Sequence, residues 1–239
     1  MNTWFQFKQF TVHQDKTAMK VCTDACLFGA WTALKIVENK IKAHNILDIG
    51  CGTGLLSLML AQKSNAKIDA VEIDRNAFEQ AKKNFELSPW KGRFNIFHNS
   101  ITIFKTPKKY EFIISNPPFY ENQLKSGNDE RNKAMHATTL SYIDLVTAIK
   151  NNLTKDGVAA VLLPFAFVNE FEKNLLANQL FIVEKLNISH SPLHPFFRSF
   201  LLIAETKIEF SEDFLAIKNN DNSYSTAFKD LLKAYYLNF

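Results

Sequence analysis

The sequence predicts an α/β fold built on a mostly parallel sheet with helices on both faces, and three features predict it. Ile46 to Ile49 form an apolar run that opens into Gly50-Cys51-Gly52-Thr53-Gly54, with Leu55 to Ala61 following as a helix-forming stretch. That order reads as a buried parallel strand, a tight turn and a helix start. Further strand-like runs at 67–72, 110–115 and 158–163 are separated by stretches of helical length, as crossover-connected parallel strands require. Finally, Phe181 to Ser189 and Arg198 to Lys207 alternate around Pro192-Leu193-His194-Pro195, which predicts an antiparallel hairpin at the sheet edge.

Taken in order, residues 4–13 are rich in aromatics and open with period-two alternation, predicting a short strand or hairpin. A helix capped by Thr23 or Asp24 runs through Leu34 to about Val37. Strand 44–49 leads to helix 53–63, and strand 67–72 to an amphipathic helix over 75–86 with Ala77, Phe78, Ala81 and Phe85 on its apolar side. Strands at 93–98 and 110–115 come next, then a polar, charged loop over 120–137, a length usual for functional or disordered loops. Helix 139–152 exits through Thr154 to Gly157 into strand 158–163, and helix 166–178 precedes the hairpin. A polar link over 212–222 ends in a short helix containing Phe228, Leu231, Leu232 and Tyr235. No internal repeat or low-complexity tract is present.

Composition narrows the class. A chain of 239 residues is one domain with room for a small appendage and buries roughly three-quarters of its unfolded surface. No apolar run reaches the ~20 residues that span a bilayer, and the amino-terminal residues lack the apolar core of a signal peptide, so a cytoplasmic location is expected. Cys22, Cys26 and Cys51 are odd in number and have no paired C-x-x-C spacing, so free thiols are expected and no metal site. The net charge of +4 and isoelectric point near 8.8 permit a nucleic-acid partner without demanding one.

The glycine turn carries the first chemical signal. Three of the seven glycines fall between residues 50 and 54. Glycine allows positive φ and lets a ligand approach bare backbone, while the helix amino terminus behind it offers unpaired N–H groups. The spacing differs from the G-x-G-x-x-G of dinucleotide binders. Glu72 closes strand 67–72, where a carboxylate at the carboxyl edge of the sheet accepts both ribose hydroxyls. Together, turn and Glu72 resemble the S-adenosylmethionine site of the Rossmann-like (class I) methyltransferases. That resemblance implies cofactor contacts from Asp48, Gly50, Cys51, Gly52, Gly54, Glu72, Ile73 and Asn116, with Lys20 or Thr23 near the methionine carboxylate. Many relatives place Asp against the adenine amino group, and here Asn99 or Ser100 stands in that place.

The second signal is Asn116-Pro117-Pro118-Phe119, which ends the apolar strand 110–115. An exocyclic adenine amine is a poor nucleophile because its lone pair is delocalised into the ring. Acceptors on the NH₂ group localise that pair, and the Asn116 side-chain carbonyl and the Pro117 backbone carbonyl are suited to this role. The prolines stiffen the turn without contributing N–H donors, and Phe119 offers a face on which the base stacks.

The whole chain resembles the tRNA1(Val) adenine-37 N6-methyltransferases. The resemblance is carried by Phe5 to Phe10, Met19 to Asp24, Leu27 to Trp31, Asp48 to Gly54, Val71 to Asp74, Ile114 to Phe119, and Arg131-x4-His136-x3-Leu140. It implies a Rossmann-like class I fold with a seven-stranded, mostly parallel sheet and a closing antiparallel hairpin. In that arrangement residues 1–40 extend over the cofactor site, 41–210 form the core and 211–239 a carboxyl-terminal helix. It also implies methyl transfer from S-adenosylmethionine to N6 of the adenosine beside the anticodon, leaving S-adenosylhomocysteine. The expected partner is a tRNA anticodon loop held by Lys8, Arg131 and Lys133 with His136 positioning, and no membrane or obligate protein partner is expected. Two other methyl acceptors share the Asn-Pro-Pro-Phe pattern, guanine N2 in ribosomal RNA and glutamine in a release factor, and a non-catalytic RNA-binding protein that kept the pocket is a third rival.

Overall fold

Apolar runs without alternation persist as strands only where both faces are covered. The computed structural model describes residues 2–17, 19–38, 40–118 and 140–238, and within them such runs form the centre of one eight-stranded sheet. Phe119, Arg131, Lys133, His136 and the loop expected at 120–137 lie outside the described residues.

A two-stranded hairpin, β1 (Trp4–Gln6) and β2 (Thr11–His13), precedes helix α1 (Thr23–Val37). The core then runs β3 (Asn45–Ile49), α2 (Leu55–Lys63), β4 (Lys67–Glu72), α3 (Arg75–Leu87), β5 (Phe94–His98) and β6 (Tyr110–Ser115). It continues through α4 (Tyr142–Asn152), β7 (Leu153–Pro164), α5 (Val168–Ala177), β8 (Phe181–Ser189), β9 (Phe196–Ala204), β10 (Ser211–Ala216) and α6 (Thr226–Leu232). The strand order is β10-β8-β9-β7-β6-β3-β4-β5, with β9 antiparallel to both neighbours and every other pairing parallel.

Two apolar layers sandwich this sheet. One face packs α1, α2, α3 and α6 through residues such as Phe28, Met59, Phe85 and Phe228. The other packs α4 and α5 through Leu145, Ile149, Phe171 and Leu175. Chain order advances outward from β3 in one direction through β4 and β5, and in the other through β6 and β7, so the direction reverses between β3 and β6. Such a switch point opens a crevice at the carboxyl ends of the strands. Register partners Ile49 and Ser115 put the next residues, Gly50 and Asn116, side by side at that crevice.

Several expectations need correction. An eighth strand, β10, pairs parallel to β8 where a polar link was expected, so the β8–β9 hairpin is not the sheet edge. Of β10 only Leu215 is buried, and an edge strand so polar leaves no apolar signature. Thr154 to Gly157 do not form an exit loop but belong to β7, whose pairing with β6 shifts register between Tyr110 and Phe112. Neither Thr23 nor Asp24 caps α1: Cys22 occupies the cap position, and the Asp24 carboxylate accepts from Ala25 N (3.1 Å) and Arg198 Nε (2.8 Å).

The turn before α2 shows why its last glycine is required. Gly54 has φ +79°, and a Cβ there would lie 2.5 Å from Cε1 of Phe85. Gly54→Ala is therefore expected to destabilise the fold by about 2–4 kcal/mol through left-handed backbone strain plus overpacking, read as a lowered urea midpoint at unchanged slope.

Candidate active site

The crevice is a cavity of about 770 Å³ at the carboxyl rim. Its floor is the glycine turn. Gly50 and Gly52 hold φ of +69° and +57°, and a Cβ at either would meet nothing within 4 Å. Bare backbone therefore faces the cavity. Val71 O of β4 accepts from Gly50 N (2.9 Å) and Cys51 N (3.3 Å), which fixes the turn against the neighbouring strand. Cys51 lines the cavity with a buried side chain, and burial holds its thiol well above the ordinary range.

Glu72, the last residue of β4, is buried at the cavity wall. Its Oε2 accepts from Gly52 N and its Oε1 from Asp74 N, both at 2.8 Å. Each oxygen takes one of these donors, and a carboxylate offers about four lone-pair sites, so acceptor capacity remains. Ile73 follows on the same wall and is exposed, its carbonyl 3.1 Å from Nε2 of His98. Beyond β5, Asn99 and Ser100 also line the cavity. Asn99 N donates to Glu72 O (3.0 Å), and Ser100 Oγ lies 2.8 Å from Thr102 Oγ1.

Asn116, Pro117 and Pro118 line the β6 side. The Asn116 Oδ1 is buried and has no hydrogen-bond partner among the described residues. A buried acceptor without a donor costs roughly 1–3 kcal/mol, so its placement on a cavity wall marks a site for a ligand donor.

Three expected cofactor residues stand elsewhere. Asp48 does not line the cavity: it is fully buried beneath the turn, its Oδ2 accepting from Ser57 Oγ (2.6 Å) and its Oδ1 lacking a partner among the described residues. Gly54 packs on Phe85 outside the lining, and Thr23 is exposed on α1 outside it too. Lys20 does line the cavity, with its ammonium donating to Gln14 O and to Thr17 O (2.9 Å for the latter). Lys8 lies away from it, its ammonium on the carbonyl of Lys233 (2.7 Å).

Sequence reasoning missed two buried amides on α3. Asn84 donates to His13 O (2.8 Å) and Thr53 O (2.9 Å) and accepts from His13 N (2.9 Å). Gln80 Oε1 accepts from Lys16 N (3.1 Å). Together they tie the amino-terminal segment, which roofs the cavity from Lys16 to Cys22, to the helix beside the glycine turn. The available signal was position: 80 and 84 share the buried stripe with Ala77, Ala81 and Phe85, and polar side chains in such a stripe need partners. Asp144, locked with Ser141 at the start of α4, is a further lining residue that was not foreseen.

These features define the class first. The chain has the fold of an α/β methyltransferase: it superposes on the solved structure of a predicted O-methyltransferase from Agrobacterium tumefaciens with a TM-score of 0.68, at 16% identity, covering 88% of this chain and 96% of that one. Residues 22–141 match the family model of the methyltransferase small domain. The chain is 41% identical to the tRNA1(Val) (adenine(37)-N6)-methyltransferase of Dyadobacter fermentans over 243 residues, covering 100% of this chain and 99% of the relative. It is also 41% identical to the enzyme of that name from Cytophaga hutchinsonii, covering 99% of each. The chain belongs to the tRNA1(Val) (adenine(37)-N6)-methyltransferase family. Fold and family imply S-adenosylmethionine as methyl donor. The open glycine cradle and the remaining acceptor capacity of Glu72 fit that group.

Asp48 supplies a pH signature. Burial, assisted by the nearby Glu72 charge and opposed by the Ser57 hydrogen bond, pushes its carboxyl up to about 7 from 3.8. The native state thus keeps a proton that the unfolded chain releases, and its contribution is most favourable below pH 4 and is lost as pH rises to about 7. Asp48→Asn is expected to remove that dependence. The wild-type protein, measured by urea unfolding across this window, should lose on the order of 4 kcal/mol relative to the variant.

Proposed function

We propose that this protein transfers a methyl group from S-adenosylmethionine to the exocyclic N6 of adenosine 37, beside the anticodon of tRNA1(Val). The observation that carries this reading is the buried Asn116 Oδ1, without a partner among the described residues, in the same cavity as the glycine cradle. When bound, S-adenosylmethionine supplies an electrophilic methyl group on a positively charged sulfur. Gly50, Cys51 and Gly52 hold that cofactor along bare backbone. Glu72 accepts its ribose hydroxyls, and Asn99 or Ser100 meets its adenine, with Ile73 alongside. Lys20 faces its carboxylate end.

The remaining work falls to the acceptor side. Asn116 Oδ1 and the Pro117 carbonyl accept from the target amine, drawing N6 toward a tetrahedral shape and concentrating its lone pair. Pro118 adds stiffness to the turn, and Phe119 contributes a stacking face worth roughly 1–3 kcal/mol per base. The methylated nitrogen is acidic and releases its proton without a strong general base. No metal is called for, because the donor sulfur is itself cationic. An anticodon-loop adenosine suits a chain of this size, since RNA is read mainly at unpaired loops and an unpaired base costs least to extrude. Lys8, Arg131 and Lys133 contribute charge to the phosphate backbone, with His136 in a positioning role.

The test is methyl transfer from labelled cofactor into total tRNA lacking this modification, followed by nucleoside and position mapping. N6-methyladenosine at position 37 is expected. N2-methylguanosine, or label in protein, would overturn the reading in favour of the corresponding rival acceptor. In the same assay Asn116→Ala should lower kcat about 10²–10³-fold, the range for loss of one preorganised polar contact, while S-adenosylhomocysteine binding measured by calorimetry persists. Equal turnover would remove Asn116 from the mechanism.

A further inference from the structure

The carboxyl rim continues beyond Asn116, on the side away from Glu72, and there it carries aromatic rings in place of a cradle. β7 ends at Pro164 and delivers Phe165, β8 ends at Ser189 and delivers His190, and β9 begins at Phe196. Register pairs Pro164 with Arg198 and Ser189 with Phe196, so all three segments meet at one edge. Phe165 and Phe196 touch, with ring centroids 5.4 Å apart, yet stay 40% and 37% exposed. Behind them His190 stacks flat on Phe197 at 4.1 Å, and the Arg198 guanidinium lies 5.5 Å from the Phe197 ring centre. Lys218, just past β10, donates its backbone N–H to His190 O (3.0 Å), which ties the chain after β10 to this end of the sheet, while its ammonium lies 6.0 Å from the Tyr224 ring centre. Leu193, at the tip of the intervening loop, is 82% exposed.

Isolated exposed apolar side chains need no explanation, but a contacting exposed pair beside a ligand cavity does. Exposed aromatic faces are how single-stranded nucleic acid is held by its bases, which stack on the π-faces whatever their identity. We propose that Phe165 and Phe196 form a stacking platform for the unpaired nucleotides next to the target adenosine. The proposal rests on the tRNA reading above. Extruding one base from a loop strips its neighbours of a stacking partner, and an aromatic face at the rim replaces it. The cofactor residues occupy the β3–β5 half of the rim, which leaves the β7–β9 half for the rest of the RNA strand.

The full-length protein tests this with a double variant, Phe165→Leu with Phe196→Leu, which keeps apolar bulk and removes both π-faces. With unmodified tRNA transcript as substrate, the tRNA KM should rise about tenfold or more, while kcat and calorimetric binding of S-adenosylhomocysteine stay unchanged. Quenching of 2-aminopurine placed beside the target in an anticodon-loop oligoribonucleotide should weaken in parallel. The double variant Phe165→Tyr with Phe196→Tyr should behave as wild type. Wild-type protein that fails to methylate tRNA adenosine contradicts the parent reading. Wild-type activity combined with unchanged KM and quenching in the Leu variant overturns the platform alone. A Leu variant that keeps RNA binding but loses self-association in sedimentation also overturns it, and makes the patch an interface between copies of the chain.

Discussion

The site depends on one carboxylate. Glu72 ends β4 and accepts the Gly52 N–H with one oxygen and the Asp74 N–H with the other. Hydrogen bonds to a charged group contribute roughly 1.5–3 kcal/mol each, and these two join three pieces of backbone. The turn after β3 is drawn against β4, and the chain leaving β4 is bent into α3. Asp74 then caps that helix by accepting from Ala77 N (2.8 Å). From α3 the buried Asn84 reaches back to the Thr53 carbonyl and forward to His13. Floor, wall and roof of the cavity are thereby linked to a single anion.

Glu72 and Asp48 divide the labour by depth. Glu72 stands at the rim with two backbone donors, where a ligand hydroxyl can join them. Asp48 stands below, on Ser57 of α2, sealed from the cavity. Its role is to brace the start of α2 under the glycine turn, and burial is the main cause of its raised carboxyl. On the far side of the switch point the chemistry inverts. There the chain presents the Asn116 carbonyl, without a partner among the described residues, followed by two prolines that contribute no N–H. A cavity with the Glu72 carboxylate and bare backbone on one side and the Asn116 carbonyl on the other is suited to join a cationic donor to an amine.

The central strands were legible because parallel strands covered on both faces are rich in apolar residues, with charges at few or terminal positions. Lys67 to Glu72 and Tyr110 to Ser115 match the structure residue for residue. The glycine turn was legible because only glycine tolerates its backbone. β10 was hidden because its pairing is made of main-chain bonds to β8, while its side chains remain mostly exposed. That the Asp48 carboxyl turns beneath the turn onto Ser57 was not legible, because the expectation at this position came from the resemblance and the partner lies nine residues on in α2. Thr23 was misplaced because a capping residue type one position inside a helix looks like a cap. Asn84 and Gln80 escaped notice because amides on a charged helix read as solvent-facing until the partners from residues 13–16 and 53 are seen. Those partners are distant in sequence, and nothing local announces them.

A crystal structure with bound S-adenosylhomocysteine would measure most directly whether one cavity joins a backbone-held cofactor to the Asn116 carbonyl. Ribose hydroxyls are expected on the Glu72 carboxylate, with the ligand lying along Gly50 to Gly52 and its sulfur directed at the Asn116 side of the cavity. A ligand whose ribose avoids Glu72, or whose sulfur is turned toward β5 and away from Asn116, would contradict this expectation.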